Sequence, residues 1–226
     1  MNVSDLIEAV KVCIDEIGVN ESEMIGGEDN ADMRTIIQSK IVDGMNYVKG
    51  NADWALLEPD KYLDDTQAYS VDENKVVRLT LPNDFLRLCY ARLSSWPVSL
   101  SDPTYWDDAE YALLQDTYSS GTHERPKLAM SIGKDGRQLE FYKAKDVERV
   151  ESVDESGNKT TVYSTTDVPD VGYIQKFTNA GVGSLDIPDK LERALVYYVA
   201  GLTLLTYRDE HADALFNQAK VIMGIV

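Results

Sequence analysis

The sequence predicts an α+β protein: mainly an α-helical bundle with an inserted small antiparallel β-sheet region. Three observations predict it. Apolar residues recur every three or four positions near both ends of the chain, the period is mainly two between Pro126 and Phe177, and prolines mark joints between the two kinds of segment. The predicted division is a helical core formed by 1–125 and 183–226, with an antiparallel insert at 126–182.

The first helix is read over 5–17, where Leu6, Val10, Cys13, Ile14 and Ile17 share a face, Ser4 or Asp5 supplies the cap and Gly18 ends it. The acidic, turn-rich stretch "VNESEMIGGEDNAD" links it to a second helix that aligns Met33, Ile36, Ile37, Ile41, Met45 and Val48. In "NKVVRLTLPNDFLRLCYARLSSW", Val77, Leu79 and Leu81 alternate as a half-buried strand that stops at Pro82. Asn83 or Asp84 then caps a predicted helix carrying Phe85, Cys89, Leu93 and Trp96, which Pro97 terminates, and a further helix is expected from Tyr105 to Tyr118.

Two hairpins follow, one turning at Lys134 to Gly136 and one at Glu155 to Asn158, and "VGYIQKF" reads as a fifth short strand. The last joint, "LDIPDKLERA", matches "LTLPNDFLRL" at a distance of 106 residues, pairing Leu185 with Leu79, Pro188 with Pro82 and Arg193 with Arg87. Both read as an extended segment turning into a helix at a proline, whose missing N–H is no loss in a first turn.

After Pro188, Leu191, Leu195, Tyr198, Leu202 and Leu205 form a stripe widened by Ala194 and Val199, and Leu215 and Phe216 lie on the inner side of a final helix. These seven stripe and final-helix positions are the predicted buried helical core. The apolar stretch from Ala194 to Tyr207 is only 14 residues. That is about 21 Å of helix, against roughly 20 residues needed to span a bilayer, so burial is expected and no membrane is called for.

The balance of 39 acidic against 22 basic side chains gives a net charge of −17. Residues 1–60 alone hold 13 acidic and four basic groups. Such a surface repels phosphate backbones and anionic membranes, unlike that of sequence-reading nucleic-acid binders. Around a channel, the same charge would let DNA pass without adhering. Cys13 and Cys89 sit in apolar patterns and read as buried thiols, and no basic-then-apolar leader opens the chain.

No catalytic, metal or cofactor constellation is predicted. His123 and His211 stand 88 residues apart, in no HExxH or GxSxG context. Asp107, Asp108 and Glu110 suit an acidic first helical turn. "DESGNKTT" offers Asp154, Ser156 and Asn158 but lacks the glycine and terminal glutamate of a calcium loop, and "IGGEDN" and "AGVGS" lack a GK[ST] ending. Thirteen tyrosines and three tryptophans are more telling, since such side chains serve interfaces as well as cores. Trp54, Trp96, Trp106 and Tyr197 are the candidate interface residues.

Several segments resemble the head-tail connector, or adaptor, proteins of tailed bacteriophages, of the kind found below the portal in short-tailed and crAss-like phages. They are the acidic N-terminal helices with "IIQSKIVDGMNYV", the joint "LTLPNDFLRL" followed by Tyr90 and Trp96, and the ending "IPDKLERALVYYVAGLTLLTYRDEHADALFNQAK". The resemblance implies a non-enzymatic virion protein, made in the host cytoplasm and resident at the neck. It implies a homo-oligomeric, dodecameric ring on the portal that extends the channel for double-stranded DNA and docks tail or further ring proteins. The alternatives are another tail or neck completion ring protein, or a non-catalytic protein-binding module.

Overall fold

The computed structural model describes residues 1–16, 33–63, 68–116, 118–153, 159–179 and 183–225. The chain divides into two compact units, one formed by Met1–Glu58 with Lys176–Val226 and the other by Pro59–Gln175.

The first unit is helical. Helix α1 (Val3–Glu16) buries Leu6, Val10, Cys13 and Ile14. Its cap is Asn2, whose Oδ1 accepts the Asp5 N–H at 2.8 Å, so neither Ser4 nor Asp5 plays that part. Helix α2 (Met33–Asn51) turns Met33, Ile37, Ile41, Met45 and Val48 inward. Ile17 and the acidic linker lie outside the described residues. Two helices close the chain, α4 (Asp189–Thr206) and α5 (Ala212–Met223).

Helix α4 buries Leu191, Ala194, Leu195, Val196, Val199 and Leu204 in a core shared with α1, α2 and α5. It is a core element, and no helix among the described residues is long and apolar enough to cross a membrane. Thr203 is fully buried, and its hydroxyl donates to the Val199 carbonyl at 2.8 Å. Gly224, at φ 74°, ends α5 in a Schellman motif: the Ile225 N–H reaches the Lys220 carbonyl and the Gly224 N–H that of Val221.

The second unit holds two sheets. A three-stranded antiparallel sheet has β10 (Pro169–Gln175) between β1 (Lys61–Leu63) and β4 (Phe85–Leu93). The seven-stranded sheet runs in order through β5 (Thr104–Tyr105), β6 (Leu128–Gly133), β7 (Gly136–Phe141), β3 (Val77–Thr80), β2 (Tyr69–Val71), β9 (Lys159–Ser164) and β8 (Glu148–Val153). All its pairs are antiparallel except β5 with β6.

Leu63, Leu88, Ala91 and Val171 of the first sheet share one core with Val77, Leu79, Met130, Leu139 and Phe141 of the second. Alternation sends Ala129, Ser131, Glu140 and Tyr142 to the opposite face of the larger sheet, where the short helix α3 (Ala109–Leu114) covers them through Leu114 and Tyr111.

The expected helical bundle with a small inserted sheet is therefore not the fold. The chain is a mixed α/β protein with two sheets, one of seven strands, and its β-rich unit is Pro59–Gln175 where the sequence places the sheet at 126–182. The largest single revision is β4, predicted as a helix. It buries Phe85, Leu88 and Ala91, a spacing of three that imitates a helical face, and then Leu93 two residues on. Two β-bulges produce that spacing: against β10, Phe85 is followed by Arg87 and Leu88 by Tyr90 in the register, so that Leu86 and Cys89 are the extra residues of the bulges. Each extra residue flips the inward parity once.

The helix expected over Tyr105 to Tyr118 is likewise shorter, because Tyr105 belongs to β5. The hairpin turn at Lys134 to Gly136 is present, with Gly133 paired to Gly136. β8 and β9 form the second hairpin, whose turn residues lie outside the described residues.

Candidate interaction surface

The outer face of the seven-stranded sheet is built around one carboxylate. Glu140 is 4% exposed, and strand parity points it away from Leu139 and Phe141 to the side beneath α3. Its Oε1 accepts from Ser131 Oγ at 3.0 Å and Arg78 Nε at 3.2 Å, and its Oε2 accepts from the hydroxyls of Tyr142 at 2.8 Å and Tyr111 at 3.1 Å. Arg78 also donates to Asp72 Oδ2 at 2.9 Å. Four donors compensate the burial of this charge.

Burial works against the Arg78 charge, but its hydrogen bond to Asp72 and the nearby Glu140 outweigh that and raise its pKa. Burial, then the bond to Glu140, pushes the Tyr142 hydroxyl far above the usual phenol range, and Tyr111 rises for the same two reasons. These groups are held in their resting protonation states. The adjoining cavity, lined by Asp72, Arg78, Gln115, Ser120 and Tyr142 among others, measures about 20 Å³, room for a single water. The arrangement is a polar lock that fastens α3 to the sheet, with no room for a substrate.

Above the lock, the chain from β5 through α3 is pinned at several points. Thr104 and Tyr105 pair with Ala129 and Met130, the Trp106 N–H reaches the Met130 carbonyl at 3.0 Å, and Gln115 Nε2 donates to the Tyr142 hydroxyl at 3.1 Å. Asp108 Oδ2 accepts the Tyr105 N–H at 2.9 Å while the Asp108 N–H returns to the Tyr105 carbonyl, closing a tight turn. Leu114 faces inward, and Trp106, Leu113 and Tyr118 face solvent.

The candidate interface residues therefore separate. Trp106 is exposed on this segment, and Trp54 is partly exposed on a 3-10 turn (Trp54–Leu56) of the helical unit. Tyr197 is half-buried, and its hydroxyl accepts from Arg193 Nε at 2.9 Å, with the guanidinium over the ring. Trp96 is buried against Phe141 in the inter-sheet core and presents no surface.

Of the predicted helical core, Leu191, Leu195 and Leu215 are buried. Tyr198, Leu202 and Phe216 are half-buried, with Tyr198 stacked on Tyr47 at a centroid distance of 4.0 Å. Leu205 is exposed, because α4 turns Thr203 and Leu204 inward at its end.

Glu140, Arg78 and Asp72 were not singled out in the sequence. Glu140 alternates with apolar residues as a solvent-facing strand residue does, and only the covering helix makes it internal. A second buried carboxylate, Asp167, accepts from the Lys145 N–H at 2.6 Å, Ser95 Oγ at 2.7 Å and the Ser95 N–H at 3.1 Å, and so ties three loops together.

His211 contacts Asp209 at 2.7 Å on the surface, and His123 Nδ1 is buried with no hydrogen-bond partner among the described residues. No group of three or more His, Cys, Asp or Glu side chains able to hold a metal occurs among the described residues. Cys13 and Cys89 form no disulfide. The chain matches no protein-family model and no curated protein.

Proposed function

We propose that the chain is a structural subunit of a head-tail connector ring: a non-catalytic virion protein that sits on the portal, extends the DNA channel and docks the tail. The observation that carries this reading is the combination of the closing helix pair with a second unit that displays aromatic side chains on a rigid base. The helices α4 and α5, separated by the polar break at Arg208 to His211, have the layout that the resemblance attributes to connector proteins. The two recessed carboxylates are fully engaged in holding loops, which suits a load-bearing part better than an enzyme. The net charge of −17 suits a channel wall past which DNA slides.

The test is electron microscopy of the purified protein alone and mixed with the portal protein encoded near it. Rings of twelve copies capping the portal are expected. A protein that stays monomeric in both samples and fails to co-sediment with portal refutes the reading.

A further inference from the structure

The segment between Arg92 and Arg125 contains no lysine or arginine and six carboxylates. Within it, Val98, Tyr105, Trp106, Leu113 and Tyr118 account for five of the thirteen large apolar side chains exposed among the described residues. Tyr105 is 46% exposed, Trp106 53%, Leu113 58% and Tyr118 95%. Exposed aromatics on a chain of this charge need a reason, since each loses favourable burial while open to water.

Tyr105, Trp106 and Leu113 are also presented on a fastened backbone. Parallel pairing of β5 with β6, the Asp108 turn and the bonds of Tyr111 and Gln115 to the Glu140 network hold the backbone beneath them. A partner therefore meets a preformed surface and orders little of it on binding.

We infer that the β5–α3 segment is a docking surface for a cationic amphipathic segment of a partner protein, one carrying arginine or lysine beside leucine-like side chains. Charge complementarity selects this occupant. Asp107, Glu110 and Asp116 are interspersed with the aromatics along a segment that itself carries no lysine or arginine, and the Trp106 indole offers a face for a guanidinium. Anionic partners, nucleic acid and anionic membranes are repelled by the same residues. The inference stands apart from the ring reading, because it concerns one unit and needs no assembly.

The test uses three fluorescein-labelled synthetic helices: one of arginine and leucine, one with glutamate for arginine, and one with serine for leucine. Fluorescence anisotropy should show micromolar binding of the first alone. Trp106→Ser/Leu113→Ser/Tyr118→Ser keeps the net charge and removes only exposed side chains. It should keep its circular dichroism and bind at least about tenfold more weakly, since a few aromatic anchors carry most interface energy. Asp107→Asn/Glu110→Gln should weaken binding and flatten its salt dependence.

Equal affinity of the serine triple variant for the arginine–leucine helix overturns the inference, because attraction would then be general charge. So does equal binding of the arginine–serine helix. If sedimentation shows that the triple variant loses self-association while peptide binding is unchanged, the surface belongs to a second copy and the inference also fails.

Discussion

Replacing Gly44 by alanine puts a methyl group into the seam between α2 and α4. An ideal Cβ there lies 2.5 Å from Val199 Cγ2 and 3.3 Å from Leu195 Cδ1. Both neighbours are fully buried, and a helical valine has essentially one χ1 well, so neither turns aside without moving backbone.

Overpacking of this kind costs about 1–3 kcal/mol, and the better helix propensity of alanine returns about 1 kcal/mol. A contact as short as 2.5 Å belongs to the upper part of that range, about 2–3 kcal/mol, so a net loss of about 1–2 kcal/mol is expected. Gly201 supplies the control. Its ideal Cβ lies 2.7 Å from Phe216 Cε1, but Phe216 is only half-buried and the contact is with the far end of one side chain, so Gly201→Ala should cost less than Gly44→Ala.

Urea denaturation followed by helical circular dichroism measures both. Gly44→Ala/Val199→Ala should lose less than the two single changes together, since the methyl and the Cγ2 compete for one space. Gly44→Ala as stable as the parent, or Gly201→Ala the worse of the two, would refute the close-approach reasoning.

The remaining predictions concern the polar lock, the tyrosines and α4. Glu140→Ala takes the acceptor from three hydroxyls and leaves Arg78 with Asp72 alone, and it should lower stability by about 3–5 kcal/mol, with Glu140→Gln milder; a denaturation midpoint unchanged in Glu140→Ala would remove the lock. Burial first, with nearby carboxylates or tyrosines second, pushes Tyr90, Tyr173 and Tyr198 each up to about 12. An unfolded tyrosine ionises near about 10, so their contribution is fully present below that pH and is lost as pH rises through about 12. Spectrophotometric titration should show a late-ionising class together with falling urea midpoints; all tyrosines titrating together near 10 in a folded protein would contradict this. Leu195→Asp buries an unpaired carboxylate and should cost several kcal/mol, whereas Leu205→Asp at an exposed position should change stability by less than about 0.5 kcal/mol.

The candidate surface was only partly legible in the sequence. Trp106 was one of three tryptophans named together as aromatic candidates, with nothing local to rank it. Trp96 was indistinguishable from it by composition, and the inter-sheet core alone buries it. Glu140 carried no usable sign, because a charged residue between Leu139 and Phe141 has the pattern of any half-exposed strand. The lid over it comes from α3, some 30 residues earlier in the chain.

What the sequence determined by itself is what short-range forces decide. The apolar stripes of α1, α2, α4 and α5 recur at the helical period, and the Lys134–Asp135 hairpin follows from strong turn chemistry between alternating strands. The two proline joints show where that reach ends. Each makes the same local turn, Phe85 N–H to the Pro82 carbonyl at 3.1 Å and Leu191 N–H to the Pro188 carbonyl at 2.8 Å. One then continues as a strand and the other as a helix.

Beyond Pro188, Glu192, Ala194 and Leu195 favour the helix locally, and α1 and α2 bury its apolar face. Beyond Pro82, β10 arrives from some 80 residues downstream and pairs with the chain through two bulges, so a three-residue spacing is satisfied by a strand. Backbone hydrogen bonds in a helix close within four residues and leave their record in the local sequence. Those of a sheet close on a partner strand that only the tertiary structure supplies.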